Sequence, residues 1–332
     1  MKVDLLGRRG VAARLLSLVL LFPGASFAQW FSDTQSIMGT RVHAEIWHED
    51  ARVAQQVLHD VMQEMRRIEA VYSLQIENSE LSRLNRDAPA GWVRASDEML
   101  DLLAKSAQMS ELTGGAFDIT FASVGRYYDY RERRRPDRAK IDSRIEAINY
   151  RYVELDFKKR RVRFAHPGVY VDLGGIAKGY AVDRCIGIVR ASGIEQASVA
   201  AGGDSRIIGD RRGEPWTVGV RDPRNPSAMV VVLPLTDTAV STSGDYERFF
   251  VEDGVRYHHI LDPATGDSAR ESWSVTILGP EATYTDALST SVFVLGPIAG
   301  MQLIDRLDGI DAIVIDKTGN LLYSSDLAEL KP

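Results

Sequence analysis

The sequence predicts an α+β fold. Segments with helical periodicity and segments with strand-like alternation are both present, but they do not follow the strict strand–helix–strand rhythm of a doubly wound sheet. The chain has 332 residues, of which 45% are apolar and 26% are charged. This balance is typical of a folded globular protein, and the length fits one large domain or two ordinary ones.

The first 28 residues have the features of a cleavable export signal. Lys2, Arg8 and Arg9 precede an uncharged run, 15–22, and the tripeptide Ser-Phe-Ala at 26–28 satisfies the small-x-small rule of signal peptidase. We expect cleavage after residue 28 and a mature domain over 29–332. The apolar run is shorter than the ~20 residues that a membrane-spanning helix needs. The paired arginines leave twin-arginine export open beside the general secretory route.

Two helices and an opening strand follow the signal. Residues 35–47 alternate apolar and polar, as a half-buried strand does. Residues 51–71 predict an amphipathic helix with apolar side chains at three- and four-residue spacing: Val53, Val57, Val61, Met65 and Ile68. A second helix is expected over 97–112, with Ser96 as its N-cap and Gly114–Gly115 at its end.

The second half of the chain is richer in strands. Residues 151–173 predict two strands around a charged turn at 158–161, followed by an apolar strand that ends at Asp172. Further strands are expected at 196–200, 216–220, 229–235, 274–278 and 312–316.

Charge and cysteine content exclude several classes of function. The formal net charge of −6 argues against a general nucleic-acid binder, because such proteins present a cationic surface to phosphate. The arginine-rich segment 131–138 is interpreted as a solvated loop. Cys185 is the one cysteine in the sequence, so an intrachain disulfide and a lipid-modified cysteine beside the cleavage site are both excluded. We expect Cys185 to be a small core residue.

The glycine-rich stretch 171–183 is the most informative motif. A predicted strand ends at Asp172, Gly174–Gly175 permit close backbone approach and unusual dihedral angles, and a helix begins at once. Such a turn directs free N–H groups and the positive end of the helix to one place, where a phosphate can bind. Lys178 could add a contact to a phosphate or a flavin oxygen. An ordinary strand-to-helix turn remains an alternative for this motif taken alone.

A second motif, 285–290, suggests a magnesium site. It is expected to open a helix that runs towards Gly296, and Asp286 and Thr290 lie four residues apart on one face of it. A carboxylate, a hydroxyl and a backbone carbonyl form the oxygen-only ligand set that magnesium prefers. The alternative is that Thr285 and Asp286 are capping residues.

A third motif places two histidines before a turn. His258 and His259 precede an Asp-Pro-x-Thr-Gly turn at 262–266, where Pro fixes one dihedral angle and Gly frees another. Adjacent strand residues point to opposite faces, so one histidine at most can face a site. A structural role for that histidine remains the alternative.

In their order, these motifs resemble the ApbE family of FAD:protein FMN transferases, over residues 38 to about 325. The resemblance rests on eight blocks: Met38–Thr40, Ser79–Asn85, Gly115–Asp118, Asp172–Asp183, Gly202–Asp204, Ser243–Tyr246, His259–Pro263 and Asp286–Thr290. It implies a single α+β domain with a mixed, largely antiparallel sheet and flanking helices. It also implies a periplasmic location and a cleft that holds FAD.

The resemblance carries family site residues onto this chain. Magnesium would be held by Asp286, Thr290 and a backbone oxygen of Gly175, with Ser289 as a further ligand. His259 matches a histidine needed for turnover. The flavin-contacting positions would be Met38, Ala116, Phe117, Asp118, Asp172, Lys178 and Ile260.

The chain departs from the family pattern in three places. Many relatives carry an aromatic residue where this sequence has Leu74-Gln75, and the usual Val-Gly-Pro is replaced by Phe-Ala-Ser at 121–123. The asparagine that often precedes the Ala-Gly-Gly-Asp motif is Ala200 here. The first two differences concern the residues that would stack on the flavin ring.

The expected reaction is metal-assisted phosphoryl transfer. A Thr or Ser hydroxyl of an acceptor protein, expected to be a membrane redox subunit, attacks the FMN-side phosphorus of FAD, and AMP leaves. His259 is the expected proton acceptor, with Asp245 and Asp262 as further candidates. Two alternatives stay open: an FAD pyrophosphatase, in which water replaces the acceptor hydroxyl, and a periplasmic flavin-binding protein without turnover.

Overall fold

The computed structural model describes residues 29–329. The expected signal segment, 1–28, lies outside the described residues, as do residues 330–332. Eight α-helices occur in the described part of the chain: α1 (Ala51–Tyr72), α2 (Glu80–Asp87), α3 (Asp97–Leu112), α4 (Ala122–Gly125), α5 (Arg138–Asp142), α6 (Ala177–Ala191), α7 (Ala282–Ile304) and α8 (Ser325–Glu329).

An antiparallel sheet of eight strands forms the centre of the fold, and each neighbouring pair in it is antiparallel. The α+β class is confirmed. In spatial order the strands are β1 (Gln29–Ile37), β2 (Thr40–His48), β6 (Ala197–Ala201), β7 (Asp204–Ile208), β10 (Ala239–Gly244), β13 (Ser272–Gly279), β14 (Asp311–Asp316) and β15 (Leu321–Tyr323).

Three smaller sheets lie beside it. They are β3 (Val93–Arg94) with β5 (Arg161–Phe164) and β4 (Val153–Asp156), then β8 (Trp216–Arg221) with β9 (Met229–Leu235), and β11 (Phe249–Glu252) with β12 (Val255–His258). The last pair is a hairpin whose turn residues, Asp253 and Gly254, have φ angles of 51° and 77°.

The opening strand expected over 35–47 is instead a hairpin of β1 and β2. Ile37 pairs with Thr40, and the two residues between them, Met38 and Gly39, have φ angles of 55° and 66°. Positive φ at both central residues is the geometry of a tight two-residue β-turn. The alternation continues through the turn, so the sequence pattern did not reveal it.

Helices α1 and α3 confirm their predictions closely. Along α1 the predicted stripe is buried from Val57 to Ile68, whereas Val53 is exposed, and Ala54, Leu58 and Met62 complete the buried face. Helix α3 begins after Ser96, whose Oγ accepts a hydrogen bond from Met99 N at 3.1 Å. It ends at Gly114–Gly115, which have φ angles of 62° and 90°.

Helices α1, α6 and α7 pack side by side on the central sheet, and their buried faces form one hydrophobic core with it. Cys185 of α6 is buried in that core, as expected. Within the described residues, α7 is the one helix long and apolar enough to cross a membrane, and it packs instead against β10, β13 and α6. A kink at Gly296, with φ 77° and ψ 172°, precedes Pro297.

Residues 169–173 have no regular secondary structure and do not form the predicted strand. Side chains satisfy part of their backbone: Val171 N donates to Asn85 Oδ1 at 2.7 Å, and Asn85 Nδ2 donates to Val171 O at 2.8 Å. Tyr170 N donates to Ser123 Oγ at 3.0 Å. Buried backbone groups need partners, and here the polar side chains of α2 and α4 supply them.

Candidate active site at the crossing of two helices

The candidate site lies where the first turns of α6 and α7 cross beneath the end of β10. The two helices approach closely because Gly179 has no side chain: a Cβ there would lie 2.0 Å from Ala282 O. This contact brings the glycine-rich turn 172–176 beside the polar face of α7. Two motifs that are more than one hundred residues apart therefore meet.

Each helix supplies an acceptor for the first turn of the other. Asp286 Oδ2, on α7, accepts a hydrogen bond from Gly179 N of α6 at 2.9 Å. Asp183, on α6, accepts from Ala282 N at 3.0 Å and from Thr283 N at 2.8 Å at the start of α7. These N–H groups have no partner within their own helix. Asp286 is therefore not a cap of α7, as the alternative interpretation had it, but an acceptor for α6.

The four predicted metal-binding positions are brought together. Ser289 Oγ lies 2.8 Å from Ser243 Oγ, and Thr290 Oγ1 lies 3.3 Å from the same atom. A Cβ on Gly175 would lie 3.4 Å from Thr290 Oγ1, so the side of Gly175 that lacks a side chain faces that hydroxyl. With Asp286 one turn earlier on the same face of α7, the site is a set of oxygen atoms.

The glycine turn differs from its prediction in two respects. Neither Gly174 nor Gly175 has a positive φ angle, so close approach rather than unusual dihedral angles accounts for these glycines. Gly174 N donates to Asp172 Oδ1 at 2.7 Å, and Gly179 N is held by Asp286. These two N–H groups are thus not free for a phosphate.

Lys178 is enclosed by two buried carboxylates. Its ammonium group donates to Asp204 Oδ2 and lies 3.6 Å from Asp286 Oδ1. Burial opposes the charge on Lys178, but Asp204 and Asp286 together hold its pKa above the usual value. Lys178 is therefore paired with carboxylates of the protein itself.

The surroundings of Asp286 destabilise the ionised form of its carboxyl group. Burial raises its pKa above the ordinary range, and the neighbouring Asp204 carboxylate raises it further, while Lys178 and the Gly179 N–H oppose the shift. A cation next to this carboxylate would remove the cost of its charge.

The two histidines differ in the hydrogen bonds that their rings make. His258 is buried, and its Nε2 lies 2.6 Å from Ala269 O, while its Nδ1 accepts a 3.3 Å hydrogen bond from Ile260 N. His259 is half-buried, and its buried Nδ1 has no hydrogen-bond partner. His259 is thus the histidine with an unpaired ring nitrogen, while His258 anchors the strand.

Burial lowers the pKa of His259 to about 3, and the cationic Arg248 and Lys178 contribute to the shift. An unperturbed imidazole titrates near neutral pH, so this shift favours the neutral ring, which is the form that can accept a proton. Its neutral form is the one present at working pH.

The structure places the two further proton-acceptor candidates in structural contacts. Asp245 forms two 2.7 Å hydrogen bonds with the guanidinium group of Arg224. Asp262 accepts from Ala264 N at 2.9 Å and from Thr265 Oγ1 at 3.3 Å within its own turn. The geometry favours His259 over both.

The predicted flavin contacts surround this site unevenly. Phe117 is buried against the glycine turn, its Cε2 being 3.3 Å from where a Gly175 Cβ would lie, and the half-buried Ala116 precedes it. Ile260 is buried directly after His259. Met38 is half-buried in the β1–β2 turn, where its N–H donates to Glu69 Oε1 at 2.8 Å.

The two acidic residues predicted to contact the flavin accept hydrogen bonds from backbone N–H groups of the protein. Asp118 accepts hydrogen bonds from Thr120 N and Tyr150 N, both at 2.8 Å, and Asp172 accepts from Gly174 N. Burial raises the pKa of both carboxyl groups. Their contact with a flavin stays a prediction.

Three polar residues of the site were not among the predicted ones: Asp204, Ser243 and Arg248. Asp204 and Ser243 lie in motifs that the sequence analysis singled out, and their acidic and hydroxyl side chains were the available signal. Arg248 influences both Asp172 and His259 and lies near the β1–β2 turn, which the order of residues alone does not indicate.

Two cavities lie away from the crossing of the helices. One of about 580 Å³ is lined by Glu80, Arg83 and Arg160, and one of about 320 Å³ by Arg224, Phe249 and Arg256. Within the described residues there is no cluster of three or more His, Cys, Asp or Glu side chains that could hold a metal ion. A metal here would be bound chiefly by hydroxyl and backbone oxygens beside Asp286.

The chain is similar in sequence to known proteins. The model of the ApbE family matches residues 38–314. The "FAD:protein FMN transferase" of Treponema pallidum is 31% identical over 327 residues, covering 93% of this chain and 90% of that protein. The protein of the same name from Vibrio cholerae is 31% identical, covering 77% of this chain and 78% of the relative.

Solved structures agree with these relatives. The ApbE protein of Thermotoga maritima superimposes with a TM-score of 0.84 at 36% identity, covering 92% of this chain and all of the other. The flavin transferase ApbE of Vibrio cholerae gives a TM-score of 0.81 at 26% identity, covering 91% and 99%.

Proposed function

The chain belongs to the ApbE family, and from this membership and the geometry of its site we infer that it is an FAD:protein FMN transferase. The observation that carries the inference is the meeting of Gly175, Asp286 and Thr290 at the crossing of α6 and α7. There a set of carboxylate and hydroxyl oxygens can hold a cation, and the cation in turn can hold a dinucleotide diphosphate.

A magnesium ion fits this site. Asp286 supplies a buried carboxylate oxygen that faces the Lys178 ammonium at 3.6 Å, and Thr290 and Ser289 supply hydroxyls. The space where a Gly175 side chain would stand is left between the glycine backbone and Thr290. When bound, magnesium would offset the negative charge that develops on the diphosphate as its bridging bond breaks.

The residues of the chain would orient the substrate and receive a proton. A hydroxyl group of the acceptor protein forms a bond to the FMN-side phosphorus, the bond from that phosphorus to the bridging oxygen breaks, and AMP leaves with the bonding electrons. His259 takes the hydroxyl proton on its neutral ring. Because the FAD diphosphate counteracts the positive charge of Lys178 and Arg248, we expect the pKa of His259 to rise when FAD binds.

The acceptor would be a Thr or Ser side chain of another protein, and we propose a membrane redox subunit exposed to the periplasm. This proposal rests on the export signal predicted over 1–28 and on the family resemblance. In-gel flavin fluorescence after denaturation, with candidate subunits, FAD and magnesium, would identify the acceptor.

Fractionation of cells that express the full chain tests the periplasmic location. Enrichment of the processed protein in the cytoplasmic fraction would contradict that location.

The variant Asp286→Asn tests the site itself. We expect transfer to fall at least a hundredfold at saturating FAD, because the amide removes the charge that would hold the cation. Glu281→Gln is the matched control, because Glu281 is an exposed acidic residue at the start of the same helix. Its side chain makes no capping hydrogen bond, so its replacement should leave the helix intact. Full activity of Asp286→Asn in the presence of EDTA would refute the metal site.

The same assay without acceptor separates transfer from hydrolysis. Rapid release of AMP and free FMN from FAD would indicate a pyrophosphatase. Tight FAD binding with no AMP release under any condition would indicate a binding protein.

A further inference from the structure

Lys178 is a buried cation placed between two carboxylates, of which only one belongs to the proposed metal site. Asp204 and Asp286 are 2% and 3% exposed. The Lys178 ammonium is hydrogen-bonded to Asp204 and stands 3.6 Å from Asp286 Oδ1. One ammonium group therefore faces two carboxyl groups, so a second cation brought to this cluster would find a carboxyl group with which to pair.

The two carboxylates are held by different parts of the fold. Asp204 begins β7 and pairs with Ser241 of β10 and with Ala201 of β6, so its position is set by the central sheet. Asp286 is set by α7, and its Oδ2 is already occupied by Gly179 N. Its Oδ1 is therefore the oxygen for which an ammonium group and a metal ion would compete.

We propose that Asp204 is a positioning residue: it draws the Lys178 ammonium away from Asp286 and so leaves Asp286 Oδ1 available to a divalent cation. This inference rests on the proposed function, because it concerns the same metal site. Without Asp204, Lys178 has one buried carboxylate left to neutralise it, and pairing with Asp286 would block the metal ligand.

Binding of Mn²⁺ alone, measured by electron paramagnetic resonance at one fixed pH, tests the proposal without an activity assay. Asp204→Asn should weaken Mn²⁺ binding about tenfold, and Lys178→Met should tighten it by a similar factor, because a charge at this distance contributes on the order of one factor of ten or more. In the double variant Lys178→Met/Asp204→Asn, the loss of Mn²⁺ affinity caused by Asp204→Asn should largely disappear. The ammonium group that would otherwise pair with Asp286 is absent there.

The double-mutant cycle also distinguishes an effect of Asp204 through Lys178 from a direct effect of Asp204 on the metal ion. An equal loss of affinity on Asp204→Asn with and without Lys178 would overturn the proposal, because Asp204 would then act as a ligand or by its charge alone. No loss in either background would overturn it too. If Asp204→Asn does not fold, as judged by circular dichroism, Lys178→Met alone decides, and unchanged or weaker Mn²⁺ binding contradicts the proposal.

The outcome is separable from that of the proposed function. Wild-type binding that Asp286→Asn abolishes supports the metal site, whatever the Asp204 variants do. Wild-type protein that binds no Mn²⁺ through Asp286 would overturn both the metal site and the inference built on it.

Discussion

At the scale of single residues, neighbours in sequence have unlike functions in this protein. His258 uses both ring nitrogens to hold its own strand and the following segment, whereas the buried Nδ1 of His259 has no partner. Asp204 and Asp286 hold Lys178, while Asp245 is neutralised by Arg224. The hydrogen-bond and ion-pair partners of each group, more than its residue type, decide which of these groups is free to react.

The pKa of His259 predicts a pH dependence of stability. The imidazole stays neutral in the folded state down to about pH 3, but in the unfolded chain it binds a proton below about 6.5. The unfolded state therefore binds more protons in this window, and the free energy of unfolding falls as the pH drops. The contribution of His259 is at most about 1.4 kcal/mol per pH unit.

Urea denaturation of the wild type and of His259→Gln, at several pH values between 4 and 7, measures this contribution. The difference between the two proteins removes the effect of carboxylates, which titrate in both. We expect the wild type to lose more stability than the variant on acidification. Parallel curves would show that His259 titrates normally.

At the scale of elements, sequence patterns predicted what local interactions decide. Helix α3 has its Ser96 cap and its glycine end where expected, and α1 has its buried stripe, because periodicity and capping are properties of adjacent residues. Strands β7 and β10 were not among the predicted strands: β7 begins with Asp-Ser-Arg, and β10 ends with Ser-Thr-Ser-Gly, which are not typical strand sequences. Their sheet positions depend on neighbours distant in sequence.

The segment 169–173 failed as a strand prediction for the same reason. Its apolar composition is that of a buried strand, but Asn85 and Ser123 occupy its backbone hydrogen-bonding groups. Asn85 thereby holds the chain immediately before the glycine turn. Nothing in the local pattern indicates a partner 86 residues away.

Two glycines of α6 provide a matched test of the helix crossing. Gly179→Ala should destabilise the protein by about 2 kcal/mol or more, since its Cβ would lie 2.0 Å from Ala282 O. Gly187→Ala should stabilise it by about 0.5–1 kcal/mol, because that position is helical and exposed, with no atom within 4 Å of the new Cβ.

Both alanine variants are compared by denaturant midpoint and by FAD affinity. We expect Gly179→Ala alone to weaken FAD binding, since it displaces the first turns of the two helices that form the site. Equal effects of the two substitutions would contradict the close crossing.

At the scale of the whole molecule, the site joins segments from each part of the described chain. The β1–β2 turn, the segment 116–118, the turn 172–176, the end of β10 and the start of α7 converge on one sheet and one hydrophobic core. The motifs and their chemical types could be predicted from the sequence. Their mutual contacts, such as Lys178 with Asp204, could not, because they depend on how the helices cross.

This convergence predicts that ligand binding stabilises the whole domain. With magnesium present and FAD at a hundred times its Kd, the gain is about 2.7 kcal/mol, or a rise in Tm of roughly 5 °C for a domain of this size. Calorimetry or dye-monitored unfolding would measure it. EDTA should reduce the rise in the wild type and leave Asp286→Asn unaffected, and a rise that EDTA does not change would contradict a metal-assisted site.

The hydrogen bonds that Asp183 and Asp286 accept between α6 and α7 also limit how early the site can form. Asp183 and its partners Ala282 and Thr283 are 99 and 100 residues apart. A nascent chain emerging from the ribosome thus carries α6 for a long interval before its counterpart exists. The site built on these contacts can therefore form only after both helices have been made.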